Sequence, residues 1–430
     1  MLPAPLKGSL SLPGDKSISH RSAMFSVIAE GTSLIKNISD GGDVASTIEC
    51  LKKLGADYRF ENGELIVEGK GLHSLRGKDL VLDCGNSGTS LRLLTGLLCG
   101  QDVQNISLIG DESLSKRPHN RVIDPLRQLG VDISGRDESF TPVVINSSKP
   151  KSGKIEMTVA SAQVKSAILL AGLYADGPVT VVEIEKTRDH TENMLKSMGV
   201  EIQIKDSNNG REITLFPPLL PLRPLNAAIP GDPSSAAFFG VAAAIIPGSD
   251  IIINDLLLNP TRIAWIEALK SMGADIEIDF VADSMGEKTG SVRVKYSELN
   301  ATDISENIAH LIDELPILAL AMTKAKGISS VRNAKELRVK ESDRISVVVD
   351  HLTRCGIEVY EHEDGYDVVG GNIGECEINS EGDHRIAMTF AIANYCSTGI
   401  LPKIDQDVVS TSFPKFFTLF ESLTNPSSIE

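Results

Sequence analysis

Pro13-Gly14-Asp15-Lys16-Ser17-Ile18-Ser19-His20-Arg21 reads as a turn that delivers a helix. Small, helix-compatible residues follow (Ser22, Ala23, Met24), so a lysine, two hydroxyls and an arginine fall on the first helical turns. Helix N-termini present unpaired N–H groups and a partial positive charge, and so suit anions. Lys16 and Arg21 add full charges, and Ser17 and Arg21, four residues apart, share a face. The stretch reads as a site for an anionic, phosphorylated metabolite. The plainer reading is an N-cap at Asp15 or Ser17 followed by a solvated face. It is not a P-loop, because the Gly-Lys pair and the glycine five residues before it are missing.

The stretch has an echo. Ile229-Pro230-Gly231-Asp232-Pro233-Ser234-Ser235-Ala236-Ala237 repeats the turn and the small-residue start, without the cations. The two copies lie roughly half a chain apart, which implies two similar halves with the charge placed in one. A shorter period runs inside the halves. Amphipathic helices end in Lys53-Leu54-Gly55, Gln128-Leu129-Gly130, Ser197-Met198-Gly199, Ser271-Met272-Gly273 and Arg354-Cys355-Gly356. Glycine there is a C-cap signal, and alternation of the strand kind follows, as in Val200-Glu201-Ile202-Gln203-Ile204. The spacing of roughly 70–80 residues gives about six repeats. The sixth lacks the glycine and ends as Phe416-Phe417-Thr418-Leu419-Phe420.

Each repeat also carries a helix of small apolar body, beginning near Lys16, Gly85, Ser161, Gly231, Asp313 and Gly382. Ala167-Ile168-Leu169-Leu170-Ala171-Gly172 is apolar nearly all round, the mark of a buried helix. The expected fold is α/β: two similar domains, each of three repeats with parallel helices inside and sheets outside. The expected boundaries are 14–229 for the N-terminal domain and 1–13 plus 230–430 for the C-terminal one. Two crossover segments join them, at Pro13-Gly14 and after the proline-rich stretch 216–224.

The 430 residues carry a net charge of −16. That argues against a basic nucleic-acid surface and makes any anion site a local cluster. The apolar fraction of 41% and charged fraction of 23% are those of a soluble globular protein. Cys50, Cys84, Cys99, Cys355, Cys376 and Cys396 form no CxxC and read as reduced core thiols, neither disulfides nor a zinc site. The N-terminus lacks a signal-peptide core, and the apolar run near 236–246 is too short to span a bilayer.

Polar residues collect at the helix starts. Asp83-Cys84-Gly85-Asn86-Ser87-Gly88-Thr89-Ser90-Leu91-Arg92 offers glycines for close backbone approach and side chains for hydrogen bonding. Ser115-Lys116-Arg117-Pro118-His119-Asn120-Arg121 places cations around an expected helix start, against the dipole, which suggests an anion there. Ser161-Ala162-Gln163 begins the third helix. Lys186-Thr187-Arg188-Asp189-His190-Thr191-Glu192 is either a local ion-pair cluster or part of the site. In the second half stand Asp313-Glu314-Leu315-Pro316, with Asp313 a possible N-cap, and Arg338-Val339-Lys340-Glu341-Ser342-Asp343-Arg344. The last is Gly382-Asp383-His384-Arg385. If the helices of each domain run parallel, their charged starts gather at one end, and two facing domains would enclose a basic cleft.

Pro-Gly-Asp-Lys-Ser-Ile-Ser-His-Arg, Gly-Asn-Ser-Gly-Thr, Lys-Arg-Pro, Ser-Ala-Gln, Arg-Val-Lys-Glu-Ser-Asp-Arg and Asp-His-Arg occur together and in this order. The chain thereby resembles the EPSP synthase family over about residues 4–422. The resemblance implies an inside-out α/β barrel in each domain. It implies transfer of the enolpyruvyl group of phosphoenolpyruvate to the 5-hydroxyl of shikimate 3-phosphate, with release of phosphate, on the route to chorismate and aromatic amino acids. It also implies a cytoplasmic monomer with no metal or organic cofactor and no nucleic-acid or membrane partner.

Matched motif by motif, Lys16 would touch both substrates. Ser17, Arg21, Ser161, Ala162, Gln163, Arg188, Asp313 and Lys340 would hold shikimate 3-phosphate. Gly88, Arg117, Gln163, Arg344 and Arg385 would hold phosphoenolpyruvate. The resemblance makes Asp313 the base toward the hydroxyl and Glu341 the proton donor and acceptor at the methylene, with Lys340 positioning the hydroxyl. Some positions depart from the pattern. One branch of the family has a lysine before Phe-Pro where this chain has Thr411-Ser412-Phe413-Pro414. Arg188, in a run like the other branch, is expected to supply that charge, and Ser161-Ala162-Gln163 and Glu336 lean the same way. Gly88 lacks a side chain, as in glyphosate-sensitive members, but Leu93 replaces the usual proline after Arg92. The sister transferase acting on UDP-N-acetylglucosamine usually carries a loop cysteine. Residues 101–124 have none, and Ser17 stands where that family has asparagine. A non-catalytic sensor of phosphorylated metabolites would need the arginines but neither Asp313 nor Glu341.

Overall fold

A computed structural model describes residues 3–207 and 210–424. It is a mixed α/β structure whose packing divides into two compact units. The N-terminal unit holds Gly14–Ile229 and the short turn Ser284–Glu287; the C-terminal unit holds Pro230–Asp283, the described residues up to Pro13 and those from Lys288 onward.

The N-terminal unit is built around helices Lys16–Ile28, Gly88–Leu98 and Ala162–Gly172. Their small and aliphatic residues are buried on every side, so no helix face is left for water. Packing is close enough that a Cβ on Gly96 would lie 2.1 Å from the Ala167 carbonyl oxygen. Each of these helices has a side-chain cap, from Asp15, Ser87 and Ser161. Three four-stranded sheets cover them. The third shows the plan: Gly153–Glu156 runs parallel to Val179–Glu183, which pairs antiparallel with Gly210–Leu215, which pairs with Ile202–Ser207. The buried helix is the crossover that a parallel pair requires.

The C-terminal unit repeats the plan around Pro233–Ile245, Leu315–Met322 and His384–Thr398. One strand in each unit comes from a distant part of the chain. Lys7–Ser11 pairs with Asp250–Leu257 in the C-terminal unit, although it precedes the first helix of the other. Asn226–Ala228 precedes Pro233–Ile245 yet pairs with Glu30–Lys36 in the N-terminal unit.

Two expectations are corrected here. The sixth repeat carries no sheet: among the described residues no strand follows Gly365–Val369. Residues 371–383 lack alternation; helix Gln406–Ser410 packs on the last inner helix instead, and Phe416–Thr424 packs beside strand Lys7–Ser11. Phe413, Phe416 and Phe420 stack against Phe239, at centroid separations of 6.0–6.2 Å. The second correction concerns the thiols. Cys355 and Cys376 form a disulfide, with Cα atoms 5.1 Å apart. The chain doubles back beside the end of helix Arg344–Arg354, where Gly374 N–H donates to the Cys355 carbonyl at 2.7 Å. Cys50, Cys84, Cys99 and Cys396 are free. No described helix is long and apolar enough to cross a membrane.

Candidate active site

Helices apolar on all faces leave their ends as the places for polar chemistry. In the N-terminal unit Lys16 is the first residue of its helix and lies 2.9 Å from Asp43 Oδ2. Ser17 gives its carbonyl to Arg21 Nη1 at 2.9 Å. Arg21 is buried, its Nε donating to Thr191 Oγ1 and its Nη2 to Ser166 Oγ, both at 2.7 Å. Burial pushes its pKa down to about 10; Glu192, Asp15 and Glu287 work against the shift, while Arg188 adds to it. Arg21 therefore stays charged at neutral pH, with Arg188 near enough to be felt.

His20 Nδ1 meets Thr47 Oγ1 at 2.7 Å, Thr47 meets Ser90 Oγ at 2.6 Å, and Ser90 donates to Ser87 Oγ at 2.8 Å. This hydroxyl chain ties the first inner helix to the cap of the second. Burial drives the His20 pKa to about 3, so the ring is neutral. Gln163 links the next pair of helices. Its Nε2 donates to Thr89 Oγ1 at 2.9 Å, and its Oε1 accepts from Arg92 Nη1. Gly88 opens the second helix, and a Cβ there would stand 2.8 Å from Arg92 Nη1. Ser161 caps the third helix and Ala162 is its first residue.

Arg117 donates to Asn86 Oδ1 and Ser113 Oγ, both at 3.1 Å, so it faces the Gly85–Gly88 loop. Arg117 does not stand at a helix start. Lys116 and Arg117 end the short helix Glu112–Lys116, where the dipole favours cations; only Arg121 lies in the first turn of the next helix, Asn120–Gln128.

In the C-terminal unit the starts of the three inner helices are joined by charged side chains. Arg344 is 1% exposed. Its Nε and Nη2 hold both oxygens of Asp383 at 2.7 and 3.3 Å, Nη2 meets Glu341 at 2.5 Å, and Nη1 lies 3.5 Å from Asp313. Burial opposes its charge, but Asp383, Glu341 and Asp313 outweigh that and raise its pKa. Asp383 is itself buried; Arg344 overcomes the cost and holds its pKa below the usual value. Lys340 Nζ is 3.6 Å from Asp313. Lys340 and Glu341, four and three residues before Arg344, would share a face with it on a continuous helix, but both lie between helices Lys335–Val339 and Arg344–Arg354. They converge through the fold of that connection. Nor does Asp313 cap its helix, whose N-cap position is Glu314. Arg385 Nη1 donates to the Asp313 carbonyl at 2.8 Å and lies 3.7 Å from Glu314.

Several residues of this framework were not picked out from the sequence. Glu314, 1% exposed, accepts from Ser234 Oγ as well as facing Arg385. Arg262 joins Asp232 and Ser234 at 3.2 and 3.1 Å. Asp43 and Arg92 stand beside Lys16 and Gln163. Asp43, directly after Gly41-Gly42 at a helix start, was the one with a legible signal. No cluster of histidine, cysteine, aspartate or glutamate among the described residues is placed to hold a metal ion.

The family model described as EPSP synthase (3-phosphoshikimate 1-carboxyvinyltransferase) matches residues 2–420. The chain belongs to the EPSP synthase family. A 3-phosphoshikimate 1-carboxyvinyltransferase of Thermodesulfovibrio yellowstonii is 45% identical over 423 residues, covering 97% of each chain. One of Bacillus pumilus is 43% identical over 98% of each. An EPSP synthase structure from Acinetobacter baumannii superposes with a TM-score of 0.85 at 39% identity, covering 98% of this chain and 97% of that one. As an EPSP synthase family member the protein is a 1-carboxyvinyl transferase.

Proposed function

We propose that the protein moves the enolpyruvyl group of phosphoenolpyruvate to the 5-hydroxyl of shikimate 3-phosphate and releases phosphate, as a cytoplasmic monomer serving chorismate and aromatic amino acid synthesis. Each unit is read as an inside-out α/β barrel. The N-terminal unit, 14–229, holds shikimate 3-phosphate through Lys16, Ser17, Arg21, Ser161, Ala162, Gln163 and Arg188, with Asp313 and Lys340 on its hydroxyl. Gly88 and Arg117 take the phosphate of phosphoenolpyruvate, and Lys16 and Gln163 touch this substrate as well. Arg344 and Arg385, from the C-terminal unit (1–13 and 230–430), take its carboxylate, a planar anion suited to a guanidinium fork.

The chemistry is addition followed by elimination. Glu341 protonates the methylene carbon while the 5-hydroxyl oxygen attacks C2 and its proton passes to Asp313. The tetrahedral intermediate then loses phosphate, stabilised by Lys16 and Arg117, and Glu341 takes a proton back from the new methyl group. The steps need only acids, bases and cations. The observation that carries the reading is the Arg344 cluster, because its arginine, lysine and two partly open carboxylates combine carboxylate binding with proton transfer. A sensor would have no use for those carboxylates.

The test is inorganic phosphate release. It should require both phosphoenolpyruvate and shikimate 3-phosphate, and UDP-N-acetylglucosamine should not replace the latter. No release with the pair, or release with the nucleotide sugar, overturns the reading.

A further inference from the structure

Lys165 lies in the apolar helix Ala162–Gly172, and its side chain is fully buried. Its Nζ is 3.0 Å from Glu183 Oε2 and 2.8 Å from Glu192 Oε1, and both carboxylates are as buried as the lysine. Burial alone would lower the lysine pKa, but Glu192 and Glu183 more than offset it, so the ammonium stays charged. Removing ions from water costs several kcal/mol each, and stability is a weak reason to keep such a triad in an apolar core.

The connections of the triad supply a better reason. Glu183 ends strand Val179–Glu183, and its Oε2 accepts from Thr187 N–H at 3.2 Å and Thr187 Oγ1 at 2.8 Å. Lys165 Nζ also lies 3.5 Å from the Thr187 carbonyl. Thr187 is thus held on three sides, and Arg188 is the next residue. Glu192 lies in helix His190–Ser197, one position after Thr191, which accepts from Arg21 Nε. Ser166, next to Lys165, accepts from both Arg21 and Thr191, and donates to the Ala162 carbonyl at 2.7 Å. The same helix begins at Ser161-Ala162-Gln163. Glu192 also favours the charge on Arg21. Two cations and two carboxylates therefore balance: Lys165, Arg21, Glu183 and Glu192.

We infer that Lys165, Glu183 and Glu192 are positioning residues that fix Arg21, Arg188 and the Ser161–Gln163 helix start in one rigid arrangement for the sugar-acid phosphate. The inference rests on the proposed shikimate 3-phosphate reading. The triad touches no substrate; it acts through Thr187, Thr191 and Ser166.

The readout is the KM for each substrate of the full-length enzyme, with the wild-type phosphate assay as the gate. If wild type turns over nothing, the functional reading fails; if it turns over and the variants behave as wild type, only this inference fails. Thr187→Val, a mild cut that spares the buried charges, should raise KM for shikimate 3-phosphate several-fold, with KM for phosphoenolpyruvate unchanged. The double variant Lys165→Met/Glu183→Gln removes one cation and one carboxylate and keeps Glu192 to balance Arg21. It should melt near wild type yet show KM for shikimate 3-phosphate raised by about tenfold or more, as small misplacements of binding groups do. Wild-type KM for shikimate 3-phosphate in Thr187→Val, or in the folded double variant, overturns the inference. So does an equal rise for both substrates.

Discussion

The inner helices of the N-terminal unit begin with cations backed by hydroxyls and amides, whereas those of the C-terminal unit begin with arginines clasped by carboxylates. Both sets end the same kind of helix, buried on all faces and roofed by the same kind of sheet in five of the six repeats. Asp15, Ser87 and Ser161 cap the first set; Arg21 and Arg117 donate to hydroxyls, a carbonyl and an amide, and Lys16 pairs with a single carboxylate, Asp43. In the second set Asp313, Glu341 and Asp383 surround one guanidinium. One scaffold therefore supports two kinds of chemistry. Cations that donate mainly to hydroxyls, amides and carbonyls are suited to holding anions, and carboxylates poised against arginine are suited to moving protons.

The largest effect should come from cutting the proton-moving side alone. Glu341→Gln and Asp313→Asn should each lower kcat by about 10²–10⁴-fold, the usual worth of a positioned acid or base. Shikimate 3-phosphate binding by calorimetry should stay within a few-fold. Near-normal turnover in both variants would erase the contrast between the units. Arg385→Lys keeps the charge and loses the fork, so KM for phosphoenolpyruvate should rise on the order of tenfold or more with kcat less affected. An unchanged KM would remove Arg385 from the substrate.

Gly88→Ala probes the other unit. The new Cβ meets Arg92 Nη1, the flexible end of a side chain, so the guanidinium must shift from its place beside Gln163. KM for phosphoenolpyruvate should increase several-fold while KM for shikimate 3-phosphate hardly changes; equal changes would mean that Gln163 and Arg92 are not set by this contact.

The smallest effect is one of stability. Burial lowers the pKa of His20 to about 3, and burial together with Arg92 lowers that of His119 to about 4. Both are therefore neutral when folded at pH 5, whereas the unfolded chain takes up protons below about pH 6.5. Between pH 6.5 and 4 the unfolded state binds more protons, so stability should fall as pH falls, by up to about 1.4 kcal/mol per pH unit for each ring. Urea midpoints across this range should show that slope, and His20→Gln should flatten it. A slope untouched by the substitution would assign the acid sensitivity elsewhere.

The inner helices were legible because a run such as Ala167–Gly172 has no polar face to misread, and the glycine-ended outer helices because glycine ends a helix without steric cost. The missing sixth sheet was not legible: helix periodicity says nothing about whether the segment that follows will pair. Lys116 and Arg117 were assigned to the wrong helix, since a five-residue helix leaves little pattern. The disulfide partners stand 21 residues apart and meet only because the chain doubles back. Nothing local marks Glu314 or Arg262 as buried, and only three-dimensional packing gives them, and Glu192 in its charged run, their neighbours.

The most direct measurement of the division between holding and proton transfer is turnover in D₂O, with the vinyl methylene of the product followed by NMR. If Glu341 adds a solvent-derived proton to the methylene carbon and later removes one, deuterium must enter that methylene, and Glu341→Gln must suppress its entry along with turnover. A wild-type product whose methylene stays fully protiated would contradict addition and elimination, and with it the role given to the carboxylates of the C-terminal unit.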